Sequence, residues 1–354
     1  MIRVVVIDDS AFMRKAIGTM LDKDPEIQVV AYARDGEEGL EKIRAHDPHV
    51  VTLDIEMPRM DGLTALKHIM MEMPRPVLMV SSLTTEGAEA TLKAMENGAV
   101  DFIPKQLSKV SLDIVKIEED LLKKVKAIAR RRVRPRAARP ARARDKSAEP
   151  VRRRVIESSK RGKQIRDVVA FGVSTGGPPV VQRILSELPP DFPAGILIAQ
   201  HMPKAFTGPF AKRLGESCRL KVKEAEVGDV FRPGCVYISP GGMHLTIEQK
   251  VSRIDVAVGE KPEDALYRPS VNVLMSSVAK AVGSRGLGVI LTGMGSDGLL
   301  GIRDLKACGG KALAQSEESC VVYGMPMAIV DEGLADKVVP LEELAGEIAS
   351  FLYN

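Results

Sequence analysis

Three carboxylates, one hydroxyl and one ammonium group follow apolar runs in the first third of the chain. They belong to Asp8, Asp9, Asp54, Ser81 and Lys105. Carboxylates that meet at one place repel one another unless a cation lies among them, and hard oxygen ligands suit Mg²⁺. A carboxylate beside such an ion can attack a phosphoryl group and form an aspartyl phosphate. Ser81 would then hydrogen-bond the phosphoryl oxygens, and Lys105 would supply a compensating positive charge.

A second set of reactive side chains lies in the second half of the chain. Ser174 follows an apolar run within the glycine-rich stretch Gly172–Gly177. Such a turn can expose a serine hydroxyl and aim backbone N–H groups at a developing oxyanion. His201 would take the serine proton, and Asp297 would hold the imidazole in its required tautomer. The backbone N–H of Met294 is a candidate second oxyanion donor.

Two alternatives to this serine hydrolase interpretation remain open from the residues alone. A glycine-rich turn between a strand and a helix can instead cradle a phosphate, or be a tight turn with no chemistry. The base could also be His244, the other histidine of this half, although its place after Pro240 predicts a surface turn or the edge of a cleft. The chain order Ser, His, Asp matches none of the common serine hydrolase orders and argues against an α/β-hydrolase.

Predicted strands and helices alternate regularly in the part of the chain that carries the carboxylates, Ser81 and Lys105. The predicted strands are Ile2–Ile7, Ile27–Ala33, Val50–Leu53, Pro76–Val80 and Ala99–Ile103. The predicted helices are Ala11–Leu21, Glu37–Ala45, Leu63–Met71 and Glu86–Met95. A last helix is predicted from about Leu112, with one face formed by Ile114, Ile117, Leu121, Val125 and Ile128. This alternation predicts a doubly wound parallel sheet, in which polar groups collect at the carboxyl ends of the strands.

The second half of the chain predicts another α/β domain with a mainly parallel sheet. Its predicted strands are Val168–Val173, Ile196–Ala199, Val236–Ile238, Gly288–Leu291 and Cys320–Tyr323. We also expect an inserted hairpin formed by Val236–Ile238 and His244–Ile247. The second half therefore repeats the architecture of the first.

A basic stretch separates these halves. Residues 130–166 contain 16 Lys and Arg against 3 Asp and Glu, a net charge of +13 in a chain whose total is +4. Three prolines and the absence of apolar periodicity predict a flexible linker, with nonspecific anion binding as the alternative. We therefore predict a first domain at 1–125, a basic linker at 126–166 and a second domain at 167–354.

Composition excludes several classes of protein. No apolar run approaches the roughly 18 residues of a membrane span, and carboxylates at Asp8 and Asp9 do not suit a signal peptide. The four cysteines lack metal-binding spacing and are expected to be reduced in the cytoplasm. The predicted location is therefore cytoplasmic.

Residues 2–105 resemble response-regulator receiver domains of the flavodoxin-like fold. The resemblance rests on Asp8-Asp9-Ser10, Leu53–Pro58, Asp61-Gly62, Ser81 and Lys105. It implies that Asp54 is the phosphoacceptor, that the backbone carbonyl of Glu56 completes a Mg²⁺ site with Asp8, Asp9 and Asp54, and that Phe102 is an aromatic that changes rotamer. The family usually has Lys-Pro where this chain has Lys105-Gln106, which changes the expected loop geometry.

Both predicted domains, over about residues 2–125 and 167–350, resemble the chemotaxis methylesterase family called CheB. The added motifs are Gly172–Gly177, Gln200–Pro203, Arg268–Val271 and Leu291–Gly298. This resemblance implies hydrolysis of glutamate γ-methyl esters on chemoreceptors and deamidation of receptor glutamines, without a cofactor in the catalytic domain. It carries the nucleophile, base and acid to Ser174, His201 and Asp297, with Thr175 as a supporting hydroxyl.

The same resemblance implies regulation by phosphorylation. The histidine kinase CheA would be the phosphodonor, and the unphosphorylated receiver would cover the catalytic cleft. Two rival functions are a response regulator that binds nucleic acid and a noncatalytic phosphorylation-dependent scaffold. The chain lacks a convincing helix-turn-helix pattern and interleaved aromatics in the basic stretch, so we expect no specific nucleic acid partner.

Overall fold

The computed structural model describes residues 1–105, 111–129 and 163–353, without the side chains of 111–116. These residues belong to two compact units that divide between Glu157 and Ser158. Gln106, and with it the predicted change in loop geometry, lies outside the described residues. So does most of the predicted basic linker.

The first unit is a five-stranded parallel sheet flanked by helices. Its elements are β1 (Ile2–Ile7), α1 (Ala11–Leu21), β2 (Ile27–Ala33), α2 (Gly36–His46), β3 (Val50–Asp54), α3 (Gly62–Glu72), β4 (Val77–Ser81), α4 (Thr85–Glu96), β5 (Asp101–Pro104) and α5 (Ser111–Ala129). The strand order is β2-β1-β3-β4-β5, with every pair parallel. The α/β fold class is confirmed.

Four helices of this unit begin at a polar side chain that the sequence provides. Ser10, Asp35, Asp61 and Thr84 each accept a hydrogen bond from a backbone N–H in the first turn of the helix that follows. Each such cap stabilises its helix by about 1 kcal/mol. The caps fix where α1 to α4 start, and therefore the length of the loops that leave β1, β2, β3 and β4.

The helix α5 extends past the predicted end of the first domain at residue 125. Of the residues predicted on one face, Leu121, Val125 and Ile128 are buried and Ile117 is half-buried, while the side chain of Ile114 is outside the described ones. The ammonium group of Lys126 lies 2.7 Å from the carboxylate of Asp24. The first four residues assigned to the linker are thus part of this helix.

The second unit contains a seven-stranded parallel sheet and a separate two-stranded ribbon. Its strands are β6 (Val168–Val173), β7 (Gly195–Gln200), β8 (Lys221–Glu224), β9 (Cys235–Ile238), β10 (His244–Gln249), β11 (Ile254–Gly259), β12 (Gly286–Ile290), β13 (Lys311–Gln315) and β14 (Lys337–Val339). Its helices are α6 (Gly177–Glu187), α7 (Lys204–Ser217), α8 (Val271–Val282), α9 (Leu299–Ala307), α10 (Met325–Asp331) and α11 (Leu341–Phe351). The sheet order is β14-β13-β12-β6-β7-β9-β8.

Two predictions for this unit are wrong. The predicted hairpin does not form, because β9 pairs in parallel with β7 and β8 while β10 pairs antiparallel with β11. The predicted strand at Cys320–Tyr323 is a turn segment, attached by an isolated bridge from Tyr323 to Gly293. The N–H groups of Val321 and Val322 donate instead to the hydroxyl of Thr292. Side-chain capping thus replaces strand pairing there.

The beginning of the second unit hydrogen-bonds to its end. The backbone N–H groups of Ile165 and Arg166 donate to the carbonyl of Leu352. The side-chain amide of Gln164 donates to the carbonyl of Pro193. These residues, which the sequence interpretation assigned to the linker, therefore contribute to the folded unit.

Candidate active site

The candidate nucleophile, base and acid follow three neighbouring strands. Ser174 follows β6 and His201 follows β7, while Asp297 lies in the segment between β12 and α9. Since the sheet order is β12-β6-β7, the nucleophile lies at the middle strand. The carboxyl ends of parallel strands share one edge of the sheet, so the topology brings together residues that are distant in sequence.

A continuous hydrogen-bond chain joins these residues. Nδ1 of His201 lies 3.1 Å from Oγ of Ser174, and Nε2 of His201 lies 2.8 Å from Oδ2 of Asp297. A carboxylate only accepts, so Nε2 carries the proton and Nδ1 is left to accept from the serine hydroxyl. This is the tautomer that a general base requires.

The carboxylate of Asp297 is held by the amino end of α8. Its oxygens accept from the backbone N–H groups of Val271 at 2.7 Å and Asn272 at 3.0 Å, and from the hydroxyl of Ser270 at 3.1 Å. Burial alone would raise the pKa of Asp297, but His201 and these N–H groups outweigh burial and lower that pKa. The partial positive charge of a helix amino end acts in the same direction. Asp297 is therefore ionised, and its negative charge can stabilise the imidazole of His201 when that ring accepts a proton.

Two backbone N–H groups are candidate oxyanion donors, that of Thr175 in the turn after β6 and that of Met294 in the segment after β12. Gly176 has a φ of +75° and lies against Val321, so the turn needs glycine there. Among the described residues, neither the N–H of Thr175 nor that of Met294 makes a hydrogen bond, which leaves both available to an oxyanion. Thr175 is buried, and its carbonyl accepts from the hydroxyl of Thr292 at 3.0 Å. No hydrogen bond of the Thr175 hydroxyl is found within the described part of the chain.

His244 does not lie in a surface turn, so that prediction is wrong. Its side chain is buried and hydrogen-bonds to Pro262 and Ser270. The structure therefore brings His201, and not His244, to Ser174.

The predicted cation-binding residues lie together at the carboxyl edge of the first sheet. Carboxylate oxygens of Asp8, Asp9 and Asp54 all lie within 4.8 Å of one another. The ammonium nitrogen of Lys105 lies 2.5 Å from Oδ2 of Asp54 and 3.1 Å from Oδ2 of Asp8. Three hard oxygen donors, two of them on buried residues, fit a divalent cation such as Mg²⁺.

The charge balance at this edge is set by burial. Burial raises the pKa of Asp54 to about 6, with Asp8 adding to the effect and Lys105 opposing it. Burial also raises the pKa of Asp8. For Lys105, burial alone would lower the pKa, but the hydrogen bonds and charges of Asp54 and Asp8 outweigh it and raise the pKa. A divalent cation would add the positive charge that two buried carboxylates need to ionise together.

For the remaining predicted members of the phosphorylation site, Ser81 and Glu56, no hydrogen bond to Asp54 is found among the described residues. The Ser81 hydroxyl donates to the carbonyls of Ser82 and Gly87 and accepts from Thr91 at 2.6 Å. Glu56 has an exposed side chain, which leaves its predicted ligand role to its carbonyl. The hydroxyl of Ser81 must therefore reorient to reach a phosphoryl group.

Gly62 lies against the backbone of Asp54, the predicted phosphoacceptor. A Cβ atom on Gly62 would lie 1.9 Å from the carbonyl oxygen of Asp54. The N–H of Gly62 also donates to the carbonyl of Ile55 at 2.9 Å. The close approach that only glycine permits brings the start of α3 against the backbone that carries Asp54.

Known proteins match both units. A family model described as CheB methylesterase matches residues 169–348, and a relative 64% identical over 100% of both chains is named protein-glutamate methylesterase/protein-glutamine glutaminase 2, from Nitratidesulfovibrio vulgaris. The chain belongs to the CheB methylesterase family. A model of the response regulator receiver domain matches residues 4–115.

Further members of the CheB family agree with this assignment. A relative from Lawsonia intracellularis, named protein-glutamate methylesterase/protein-glutamine glutaminase, is 56% identical over 100% of both chains. The crystal structure of the Thermotoga maritima CheB methylesterase catalytic domain is 38% identical, with a TM-score of 0.51, and covers 52% of this chain and 98% of that one. Within the described ranges, no helix has the length and apolarity to cross a membrane.

The sequence interpretation gave no role to two residues near Ser174, His201 and Asp297. The side-chain amide of Gln200 donates to the carbonyl of Ser174 at 3.0 Å and to that of His201 at 3.2 Å. The ring of Tyr267 stacks on the imidazole of His201, with centroids 4.3 Å apart and planes 12° apart. Gln200 belongs to the motif Gln200–Pro203 and ends β7, so the sequence marked its position but not its contacts. Nothing local marks Tyr267, whose partner is 66 residues away.

Proposed function

We propose that the chain hydrolyses γ-methyl esters of glutamate residues on cytoplasmic chemoreceptor helices and deamidates specific receptor glutamines. The observation that carries the proposal is the hydrogen-bond chain from Ser174 through His201 to Asp297. The names of the relatives, protein-glutamate methylesterase/protein-glutamine glutaminase, supply the substrate class. Family membership favours this catalytic function over a nucleic acid output domain or a noncatalytic scaffold.

The chemistry follows from the site. Oγ of Ser174 attacks the ester carbonyl carbon while Nδ1 of His201 takes the hydroxyl proton, and the ionised Asp297 stabilises the resulting imidazolium. The N–H groups of Thr175 and Met294 bind the oxyanion. When the carbon–oxygen bond to the methoxy group breaks, Nδ1 returns the proton and methanol leaves.

The acyl-enzyme is then removed by the same groups. His201 takes a proton from water, whose oxygen attacks the acyl carbon, and Oγ of Ser174 leaves with that proton. The product is glutamate. A glutamine substrate follows the same route, with ammonia in place of methanol as the first leaving group.

Regulation by phosphorylation is the second part of the proposal. Asp54 would accept a phosphoryl group from the histidine kinase CheA, with Mg²⁺ held by Asp8, Asp9, Asp54 and the carbonyl of Glu56. The ion would neutralise charge on the transferring phosphoryl group. Lys105 already contacts Asp54 and would bind a phosphoryl oxygen, as would Ser81 after reorientation. The proposed location is the cytoplasm, where both partners would be reached.

Release of methanol from methylated receptor membranes tests both parts. The full chain should release methanol, and acetyl phosphate with Mg²⁺ should increase the rate. Asp54→Asn should keep the unstimulated rate and lose the increase. Absence of methanol release by the wild-type chain under either condition would refute the proposed activity, and stimulation of Asp54→Asn would refute the proposed acceptor.

A further inference from the structure

His244 is a buried histidine that the proposed chemistry does not use. It begins β10, is 1% exposed, and both ring nitrogens are engaged. Nε2 lies 3.2 Å from the carbonyl oxygen of Pro262, and Nδ1 lies 3.2 Å from the backbone nitrogen of Ser270. A backbone N–H donates and a carbonyl accepts, so the imidazole is neutral with its proton on Nε2.

These two hydrogen bonds join the ends of one segment, residues 263–269, which we call the bridging loop. The loop carries Tyr267, whose ring stacks on His201. A third contact to the same region of the chain comes from the N–H of Gly242, which donates to the carbonyl of Arg268 at 3.1 Å. His244 thus closes the loop that supports the catalytic base.

The far end of the bridging loop leads directly to the catalytic acid. The hydroxyl of Ser270 caps α8 through Val273 and donates to Asp297. The next N–H, that of Val271, donates to the same carboxylate. A displacement of Ser270 would therefore move the donors that hold Asp297 against His201.

We propose that His244 is a positioning residue for the Ser174 site, whose neutral imidazole ties Pro262 to Ser270 and so aligns Tyr267 and Asp297 on the two sides of His201. It touches none of the reacting atoms and acts through the bridging loop and the amino end of α8. The inference rests on the proposed function of Ser174 and adds a residue to its machinery.

An imidazole suits this role because the buried site needs one acceptor and one donor on a rigid ring. The nearby charges are the guanidinium of Arg268 and the carboxylate of Asp297. Burial lowers the pKa of His244, with Arg268 acting in the same direction and Pro262 and Asp297 opposing. The neutral form, which can accept from Ser270, is thereby favoured.

Three substitutions in the full chain separate the two hydrogen bonds. His244→Asn places an amide oxygen near the position of Nδ1 and retains an acceptor for Ser270. His244→Gln places an amide N–H near the position of Nε2 and retains a donor for Pro262. His244→Phe retains the approximate shape of the side chain but neither hydrogen bond.

Two measurements compare these variants. Methanol release with acetyl phosphate and Mg²⁺ gives kcat and KM, and labelling of Ser174 by an organophosphonate gives a rate that is independent of the receptor.

We expect His244→Phe to lower kcat and the labelling rate by about 10- to 100-fold, with KM changed less than about twofold. His244→Asn should recover most of the loss, because the bond to Ser270 is the one that reaches Asp297, and His244→Gln should recover less. Tyr237→Phe is the matched control, since it removes another buried side chain's hydrogen bond, from the Tyr237 hydroxyl to the carbonyl of Val230, away from the triad. It should leave kcat unchanged.

Denaturant unfolding of every variant distinguishes positioning from folding. The proposal is overturned if kcat per folded molecule is unchanged in all three variants, or if it falls equally in His244→Phe and His244→Asn. If His244→Phe does not fold, the comparison of kcat between His244→Asn and His244→Gln still tests the proposal, which expects the higher kcat in His244→Asn. An inactive wild-type chain would instead refute the proposed function itself.

Discussion

Nδ1 of His201 lies 3.1 Å from Oγ of Ser174, so the imidazole approaches the serine through the ring nitrogen nearer the backbone. The outer nitrogen, Nε2, faces Asp297. This is the reverse of the arrangement in which Nε2 faces the serine. His201 comes directly after β7, and its backbone N–H donates to the carbonyl of Val173, the residue before Ser174.

Replacement of the nucleophile should abolish the activity without unfolding the protein. Ser174→Ala should reduce kcat by on the order of 10⁶, because no other hydroxyl among the described residues is hydrogen-bonded to His201. Organophosphonate labelling followed by mass spectrometry should find no adduct in this variant. Ser296→Ala, at an exposed serine next to Asp297, serves as the control and should retain labelling. Appreciable methanol release by Ser174→Ala would exclude a serine mechanism.

Replacement of the catalytic acid should affect both turnover and acid stability. Asp297→Asn should lower kcat by about 10⁴, because the neutral amide no longer stabilises the imidazolium or fixes its tautomer. The lowered pKa of Asp297 means that the folded state favours the carboxylate. Its contribution to stability is therefore fully present above the ordinary pKa, near 4, and is lost as pH falls through the lower folded value.

Urea unfolding of wild type and Asp297→Asn between pH 3 and 7 measures this contribution. The difference in unfolding free energy between the two proteins should be largest above pH 5 and should shrink below pH 4. A difference that stays constant to pH 3 would show that the carboxylate is not stabilised by its partners.

The stacked ring of Tyr267 should contribute to orientation of the base. Tyr267→Phe keeps the stacking and should retain most of kcat, whereas Tyr267→Leu loses the aromatic face and should lower kcat about 5- to 10-fold. The comparison uses methanol release at saturating substrate. Equal losses in both variants would assign the effect to the hydroxyl instead of the ring.

Gly62 should be intolerant of even one added carbon. Gly62→Ala would place a methyl group against the carbonyl of Asp54, which we expect to destabilise the chain by about 1–3 kcal/mol and to abolish stimulation by acetyl phosphate. Gly346→Ala is the matched control, because a Cβ there meets no atom within 4 Å and lies inside α11. It should be neutral or stabilising by up to about 1 kcal/mol. Unfolding in urea and methanol release measure the two effects.

The receiver fold was largely predictable because its signals are local. Apolar runs mark buried strands, and the capping side chains of Ser10, Asp35, Asp61 and Thr84 mark the helix starts. The bounds of β1, β2 and α1 agree with prediction to the residue. Each of these features depends on interactions within a few residues.

The second unit was less predictable because its sheet depends on distant pairing. The strand β13, Lys311–Gln315, begins with a lysine and contains two alanines, so its sequence alone does not distinguish it from a helix. The apolar run at Cys320–Tyr323 looks like a strand, yet its N–H groups are satisfied by the Thr292 side chain. The strand-end positions of Ser174, His201 and Asp297 were evident from the sequence, whereas the support from Tyr267 and His244 depends on the bridging loop.

The placement of the proposed triad after β12, β6 and β7 has a consequence during synthesis. The nucleophile and base are separated by 27 residues, but the acid follows the base by 96 more. A chain emerging from the ribosome therefore carries an unsupported serine and histidine until β12 has been made and has paired with β6. Under the proposed mechanism, esterase activity arises only when this late, non-local pairing is complete.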